Sequence, residues 1–298
     1  MNTKPWGQAE KLNWLSKQTI KRSYFDEVEA KLFTLKSQFD VYQYDQLSYK
    51  SYKYPLYAIK SLDWDDNKKT ILITGGVHGY ETSGVQGAIA FMEQSASDYN
   101  AHFNILTLPC ISPWGYETIN RWNPETIDPN RSFFSKPTSQ EAQKAMKAVQ
   151  ETGQAIHAHF DLHETTDTDN TEFRPALAAR DAITQDKWDI PDGFYLVGDS
   201  ENTQDNFQKA IIQSVEKVTH IAPEDESGKI IGDVCTQKGV INYDVKKLGL
   251  CTGFTGAKFV TTTEVYPDSP KVNDANCVAA QVAAVNGGLV YLIQQMTS

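Results

Sequence analysis

The stretch ILITGGVHGYE, Ile71 to Glu81, opens with β-branched and apolar residues that predict a buried strand. The run breaks at Gly75-Gly76, and His78 and Glu81 follow three residues apart, where a strand is expected to turn into a helix. At that spacing an imidazole and a carboxylate can face one point in space. Such a point suits Zn²⁺, which takes nitrogen and oxygen ligands at about 2.0–2.2 Å. A histidine and a glutamate three apart also arise by chance in many chains, so the motif gains meaning only from partners elsewhere.

Working outward, strands and helices alternate. Residues 7–37 read as a helix with Phe25, Val28, Leu32 and Leu35 at spacings of three and four. Strands are expected over 41–49 and 54–62, and the segment WDDNKK (64–69) is a turn. After the His78 strand come a helix over 82–95, a strand over 102–110, a long loop over 111–137 and a helix over 139–151. A strand over 155–162 delivers His163. Residues 165–200 read as loop-rich, 204–219 as helix, 223–257 as largely irregular and 258–265 as strand. Ser269-Pro270 is expected to open the last helix, because proline at the first helical position loses no hydrogen bond. No repeat or linker interrupts the pattern, which predicts one α/β domain over 1–298 with helices on both faces of its sheet. Ligands in such folds bind beyond the carboxyl ends of strands. His78, the loop from Ile111, His163 and Glu264 all fall at or just after such ends.

The segment HAHFDLHE (157–164) supplies the third candidate ligand. A strand here sends positions 157, 159, 161 and 163 to one face, so alternation alone does not choose among them. Position does: His163 sits at the strand end, whereas His157 and His159 lie deeper and read as structural. Two histidines and a glutamate would leave tetrahedral Zn²⁺ with one open position, the mark of a catalytic site. A metal there acidifies water and polarises carbonyls, which suits peptide or amide hydrolysis. Arg121 and Arg131, in the loop ISPWGYETINRWNPETIDPNRSFF (111–134), are cations able to grip a carboxylate in a bidentate fork.

Composition narrows the partners. In 298 residues, 28 Lys and Arg stand against 38 Asp and Glu, a net charge of −10 that repels nucleic acid and anionic lipid. The most apolar long segment, 278–293, is interrupted by Gln281, Asn286 and Gly287-Gly288, so no membrane span is expected. The amino-terminal MNTKPWGQAEKLNW lacks the apolar core of a signal peptide, which makes the cytoplasm the expected location, with unconventional export left open. Cys110, Cys235, Cys251 and Cys277 form no CxxC pair; reduced thiols are expected, with a Cys235–Cys251 bridge as the alternative.

Taken together, the motifs resemble the zinc carboxypeptidase family, the carboxypeptidase A-like metallopeptidases. That family shows His-x-x-Glu after a strand, then an Arg, an Asn-Arg pair, a strand-end His and a late Glu. Here these read in order as His78 and Glu81, Arg121, Asn130-Arg131, His163 and Glu264. The resemblance implies a three-layer α/β/α fold with a mixed central sheet and one Zn²⁺ held by His78, Glu81 and His163. It further implies Glu264 as general base, Arg121 as oxyanion stabiliser, and Asn130 with Arg131 as the grip on the terminal carboxylate of a peptide or protein substrate. Tyr243 is the nearest counterpart of the family's mobile tyrosine, in a poorly matched local sequence. Asp244, Lys246, Lys247 and Lys258 are the charged candidates for specificity in the same region. Glu164 and Glu172 are rival bases.

A neighbouring branch, succinylglutamate desuccinylase/aspartoacylase, has similar GGVHGYE and DLHET segments and removes acyl groups from amino acids. Its glutamate comes soon after the last ligand and a β-rich domain follows. Here Glu264 lies 264 − 163 = 101 residues after His163, and 298 − 264 = 34 residues remain. That layout favours carboxypeptidase chemistry over deacylation. A binding protein that has lost its chemistry is the third possibility, disfavoured because every motif residue is kept.

Overall fold

The computed structural model describes residues 4–50, 52–184 and 189–297. In chain order the elements are α1 (Gln8–Leu15), α2 (Ala30–Thr34), β1 (Phe39–Tyr49), β2 (Tyr52–Ser61), β3 (Lys69–Gly75), α3 (Thr82–Gln94) and β4 (Phe103–Leu108). There follow α4 (Pro113–Thr118), α5 (Gln140–Glu151), β5 (Ile156–Glu164), α6 (Arg174–Asp181), β6 (Tyr195–Asp199) and α7 (Asp205–Val215). The short β7 (Lys229–Ile230) and β8 (Asp233–Val234), then β9 (Val240–Tyr243), β10 (Phe259–Val265) and α8 (Asp274–Thr297) complete the list.

Eight strands form one mixed sheet in the order β1-β2-β4-β3-β5-β10-β6-β9. Its middle, β4-β3-β5-β10, is parallel. The apolar residues expected of a doubly covered parallel sheet are there. Ile71 and Ile73 of β3, Ile105 of β4 and Phe160 and Leu162 of β5 point to the core shared with α3, α7 and α8. Leu72, Leu106 and Val260 point the other way, onto Ala142, Ala145 and Val149 of α5. The three-layer arrangement with a mixed sheet is therefore as expected.

Local departures have local causes. The expected helix over 7–37 is split. Between its halves the N–H groups of Lys21 and Arg22 donate to the Glu117 carbonyl, and the Arg22 guanidinium donates to Thr82 Oγ1 and to carbonyls of Gly79 and Tyr116. Those tertiary bonds hold the backbone out of the helix. The second half runs from a π turn (Phe25–Glu29) through α2, burying Val28, Leu32 and Leu35 but leaving Phe25 exposed. The last helix starts at Asp274, four residues past Pro270. Asn273 caps it, accepting from Asn276 N on its side chain and from Cys277 N on its carbonyl. Within 165–200 the chain forms α6 and β6; the part of that expected loop at 185–188 lies outside the described residues. The stretch expected to be irregular contains β9, an edge strand too short to announce itself.

Helix α8 contains the span Asp274–Met296, which is long and apolar enough to cross a membrane. It is a core helix here, packed against α3 and α7. Its buried Gln281 accepts from Thr263 Oγ1 and donates to the His163 carbonyl at 2.9 Å, which answers how an amide is tolerated in an apolar helix. All four cysteines are free, so the Cys235–Cys251 bridge does not form.

His159 is fully buried in β5, its Nε2 2.9 Å from Thr74 Oγ1 and its ring edge-on to Phe254. Burial pushes its pKa down to about 4 from the usual 6.5. Between those two values the unfolded chain binds the proton that the fold rejects, so stability falls as pH falls through that window. Chemical denaturation at pH 7.5 and 4.5 should show the wild type losing about 2–3 kcal/mol more than His159→Gln; equal losses would remove this assignment.

Candidate metal and catalytic site

The parallel strands deliver the site. After β3, Gly76 takes a positive φ of +58° that few other residues adopt, and the chain turns through His78 to Glu81 and α3. Helix α3 begins directly against the end of β5: a Cβ on Gly84 would lie 2.2 Å from the Leu162 carbonyl oxygen. That close approach brings Glu81 to His163. The imidazoles of His78 and His163 have ring centroids 5.1 Å apart. One ligand atom from each of His78, Glu81 and His163 lies within 4.8 Å of the others, and all three residues are buried.

The orientation of each imidazole is fixed from behind. His163 Nε2 lies 2.7 Å from Asp161 Oδ2, and Asp161 Oδ1 accepts from Thr74 Oγ1 at 2.6 Å. His78 Nε2 lies 2.9 Å from Asp128 Oδ1, while Asp128 Oδ2 accepts from Arg121 Nε at 3.0 Å. Burial opposes ionisation of Asp128, yet Arg121 and His78 hold its carboxyl well below the usual range. With ionised carboxylates as acceptors, each histidine carries its proton on Nε2 and presents the Nδ1 lone pair inward. Neither aspartate was singled out in the sequence. Asp161 shares the strand face of His163, which was a usable signal; Asp128 offered none.

Both Nδ1 atoms meet the Glu81 carboxylate, His78 at 2.8 Å from Oε1 and His163 at 2.7 Å from Oε2. The second contact lacks hydrogen-bond alignment, and Glu81 Oε2 is buried with no hydrogen-bond donor. Two inward lone pairs and a buried carboxylate repel one another unless positive charge sits among them. The same physics raises the proton affinity of His163: burial opposes it, but Asp161 and Glu81 prevail. A nitrogen–oxygen–nitrogen donor set with an orphaned carboxylate oxygen fits a divalent cation such as Zn²⁺.

Around the triad lies a cavity of about 640 Å³ lined also by Arg121, Asn130, Arg131, Tyr243 and Glu264. Glu264 stands beside His163 in the parallel register of β10 and β5. Burial, with Glu81 nearby, pushes its pKa up to about 8. Its Oε2 accepts from Thr165 Oγ1 at 2.8 Å, and Thr165 in turn contacts Tyr195 Oη at 2.7 Å. Glu164 is engaged elsewhere, accepting from the N–H groups of Thr82 and Ser83 at the start of α3. Glu172 is exposed and outside the cavity lining.

Arg131 opens onto the cavity, donating to the Asn130 carbonyl at 2.7 Å. Asn130 is partly occupied: its Oδ1 accepts from Cys251 N at 2.8 Å and its Nδ2 lies 3.5 Å from His163 Nε2. Tyr243 sits on β9 with its hydroxyl donated to Asp233 at 2.8 Å, so it is part of a wall rather than a free loop residue. Asp244, Lys246, Lys247 and Lys258 do not line the cavity; Lys11, Arg174 and Arg180 do.

Residues 67–188 match the family model of the succinylglutamate desuccinylase/aspartoacylase catalytic domain. A sequence comparison with curated proteins finds no match. Among solved structures, a "putative metallopeptidase" from Shewanella amazonensis SB2B superposes with a TM-score of 0.68 at 19% identity, covering 93% of this chain and 99% of that one. A metallo-carboxypeptidase from Burkholderia cenocepacia gives 0.58 at 15% identity, with coverages of 97% and 70%. A Pseudomonas aeruginosa metallo-carboxypeptidase gives 0.60 at 13% identity, with 91% and 69%. The structural likeness is one of fold, and the family match relates the chain to a group of hydrolases.

If Asp161 orients His163 as described, Asp161→Asn should weaken Zn²⁺ binding about 10–100-fold while the protein stays folded. Chelator competition measures the affinity; an unchanged value would show that the carboxylate does not support the imidazole.

Proposed function

We propose that this zinc carboxypeptidase-like chain, related to the succinylglutamate desuccinylase/aspartoacylase branch, is a zinc-dependent metallocarboxypeptidase that hydrolyses the C-terminal peptide bond of its substrate. The observation that carries this reading is the arrival of Glu264 on the sheet strand next to His163, 101 residues later in sequence, in a cavity shared with Arg131.

His78, Glu81 and His163 would hold the ion, which when bound supplies a Lewis acid that acidifies water and polarises a carbonyl. Glu264 takes the proton of the attacking water and returns it to the leaving amine. A carboxylate with raised proton affinity suits both halves of that task. Thr165, donating to Glu264, fixes which oxygen is free to act. Arg131 grips the terminal carboxylate in a bidentate fork, aided by Asn130 Nδ2. Arg121 is held by Asp128 and Asp169 and offers its remaining donors to the developing oxyanion.

The family match over 67–188 leaves a second reading open, deacylation of N-acyl amino acids. Both readings need a triad, a base and a carboxylate grip, and they differ in where the base comes from and in what stands on the acyl side of the bond.

A peptide library with varied final residues, scanned for release of the last amino acid with acylated amino acids as competitors, separates them. Release from peptides supports the carboxypeptidase; cleavage of acylated amino acids alone supports the deacylase. Glu264→Gln should keep its zinc and lose hydrolysis; full activity in this variant would remove Glu264 as the base. Arg131→Ala should weaken catalysis on substrates with a free carboxylate by about 1.5–3 kcal/mol. Equal loss on amidated substrates would assign Arg131 elsewhere.

A further inference from the structure

Part of the cavity lining is not required by the chemistry above. Pro5, Trp6 and Lys11 line the same space as the triad. The Trp6 backbone N–H donates to the Arg180 carbonyl of α6 at 2.7 Å. Its indole meets Trp122, in the loop that carries Arg121 and Arg131, edge-on at 6.1 Å and 88°. The Arg180 guanidinium lies 4.5 Å over the Trp122 ring and donates to the Thr126 carbonyl at 2.8 Å. Asp181 accepts two further bonds from it, each at 2.8 Å. Trp14 of α1 packs on Trp122 and Trp114, centroids 5.6 and 6.0 Å apart, and fastens the segment at its other end.

Trp6 therefore joins two walls of the cavity, α6 on one side and the loop around Trp122 on the other. Leu177, Arg180 and Asp181 of α6 line the space beneath. A polypeptide whose last residue reached Arg131 and whose body left the cavity between α6 and the Trp122 loop would meet this bridge. We infer that the bridge confines the enzyme to short substrates, peptides of about two to four residues, since the cavity has the volume that encloses ligands of drug size. This inference rests on the carboxypeptidase reading for the bond cleaved, while the size limit comes from the bridge and the cavity volume.

The test is a series of N-blocked peptides of two to ten residues with identical C-terminal residues, assayed with the zinc-loaded wild type and Trp6→Ala. Trp6 is half-buried and its bond to Arg180 is made by the main chain, so the variant should fold. Wild-type kcat/KM should fall about tenfold or more beyond four residues, and Trp6→Ala should recover most of that loss, since an aromatic pair is removed. A flat length profile in the wild type, or an unchanged profile in Trp6→Ala, overturns the inference. Calorimetric binding of the same peptides to zinc-loaded Glu264→Gln distinguishes the two levels. Binding that declines with length, in a wild type that cleaves none of the peptides, sustains the size limit and sinks the carboxypeptidase reading. Cleavage without length dependence does the reverse, and absence of binding by even the shortest peptides overturns both.

Discussion

Asp128 and Asp161 each accept the Nε2 proton of a buried imidazole, and the character of the site follows from that pair of contacts. Each contact chooses a tautomer and aims an Nδ1 lone pair at Glu81, so the triad is assembled with its electron-rich atoms facing inward. Three such atoms without water among them are unfavourable unless a cation or protons join them. The orphaned Glu81 Oε2 and the raised proton affinity of His163 are two signs of the same condition. Asp128 also anchors Arg121, so the orientation of one metal-ligand candidate and the position of the oxyanion candidate depend on one carboxylate. A change there would disturb both.

The sheet places these groups by register and the helices keep them there. β3, β5 and β10 run parallel and adjacent, so His78, His163 and Glu264 emerge at one edge although they are distant in sequence. Helix α3 touches the end of β5 at a distance only glycine permits. Gln281 reaches out of α8 to the His163 carbonyl and to Thr263 on β10. A polar residue in the most apolar helix thus ties the outer layer to the two strands that carry the third ligand candidate and the base candidate.

Much of this was legible because the relevant signals are local. The β3 run ending in Gly75-Gly76, the strand-end placement of His163 and the lone acid in KFVTTTEV each follow from pattern and position. So did the separation of His163 from His159, which is fully buried among Thr74, Cys251 and Phe254. What stayed hidden depends on tertiary contact. The break after α1 comes from Glu117 and Arg22 bonds across about ninety residues. The start of α8 went to an asparagine cap rather than to proline, a competition between two good helix openers. The edge strand β9 is four residues long. Asp128, Thr165 and Trp6 carry no motif at all; they matter through what they touch.

Carboxypeptidase and deacylase chemistry place nearly identical demands on the triad, the base and the carboxylate grip, so those residues do not discriminate between them. The discriminating information lies in where the base comes from and in what encloses the acyl side. The base candidate comes from β10, well beyond the stretch that matches the desuccinylase and aspartoacylase catalytic domain, the layout that the carboxypeptidase reading expects. The enclosure comes from an amino-terminal segment that also lies outside that match, meeting Trp122 and Arg180 within it. The proposed base on β10 and the proposed limit on substrate size together reconcile the two likenesses. On the proposed reading the bond broken is a terminal peptide bond, and the size of what carries it approaches that of an acylated amino acid.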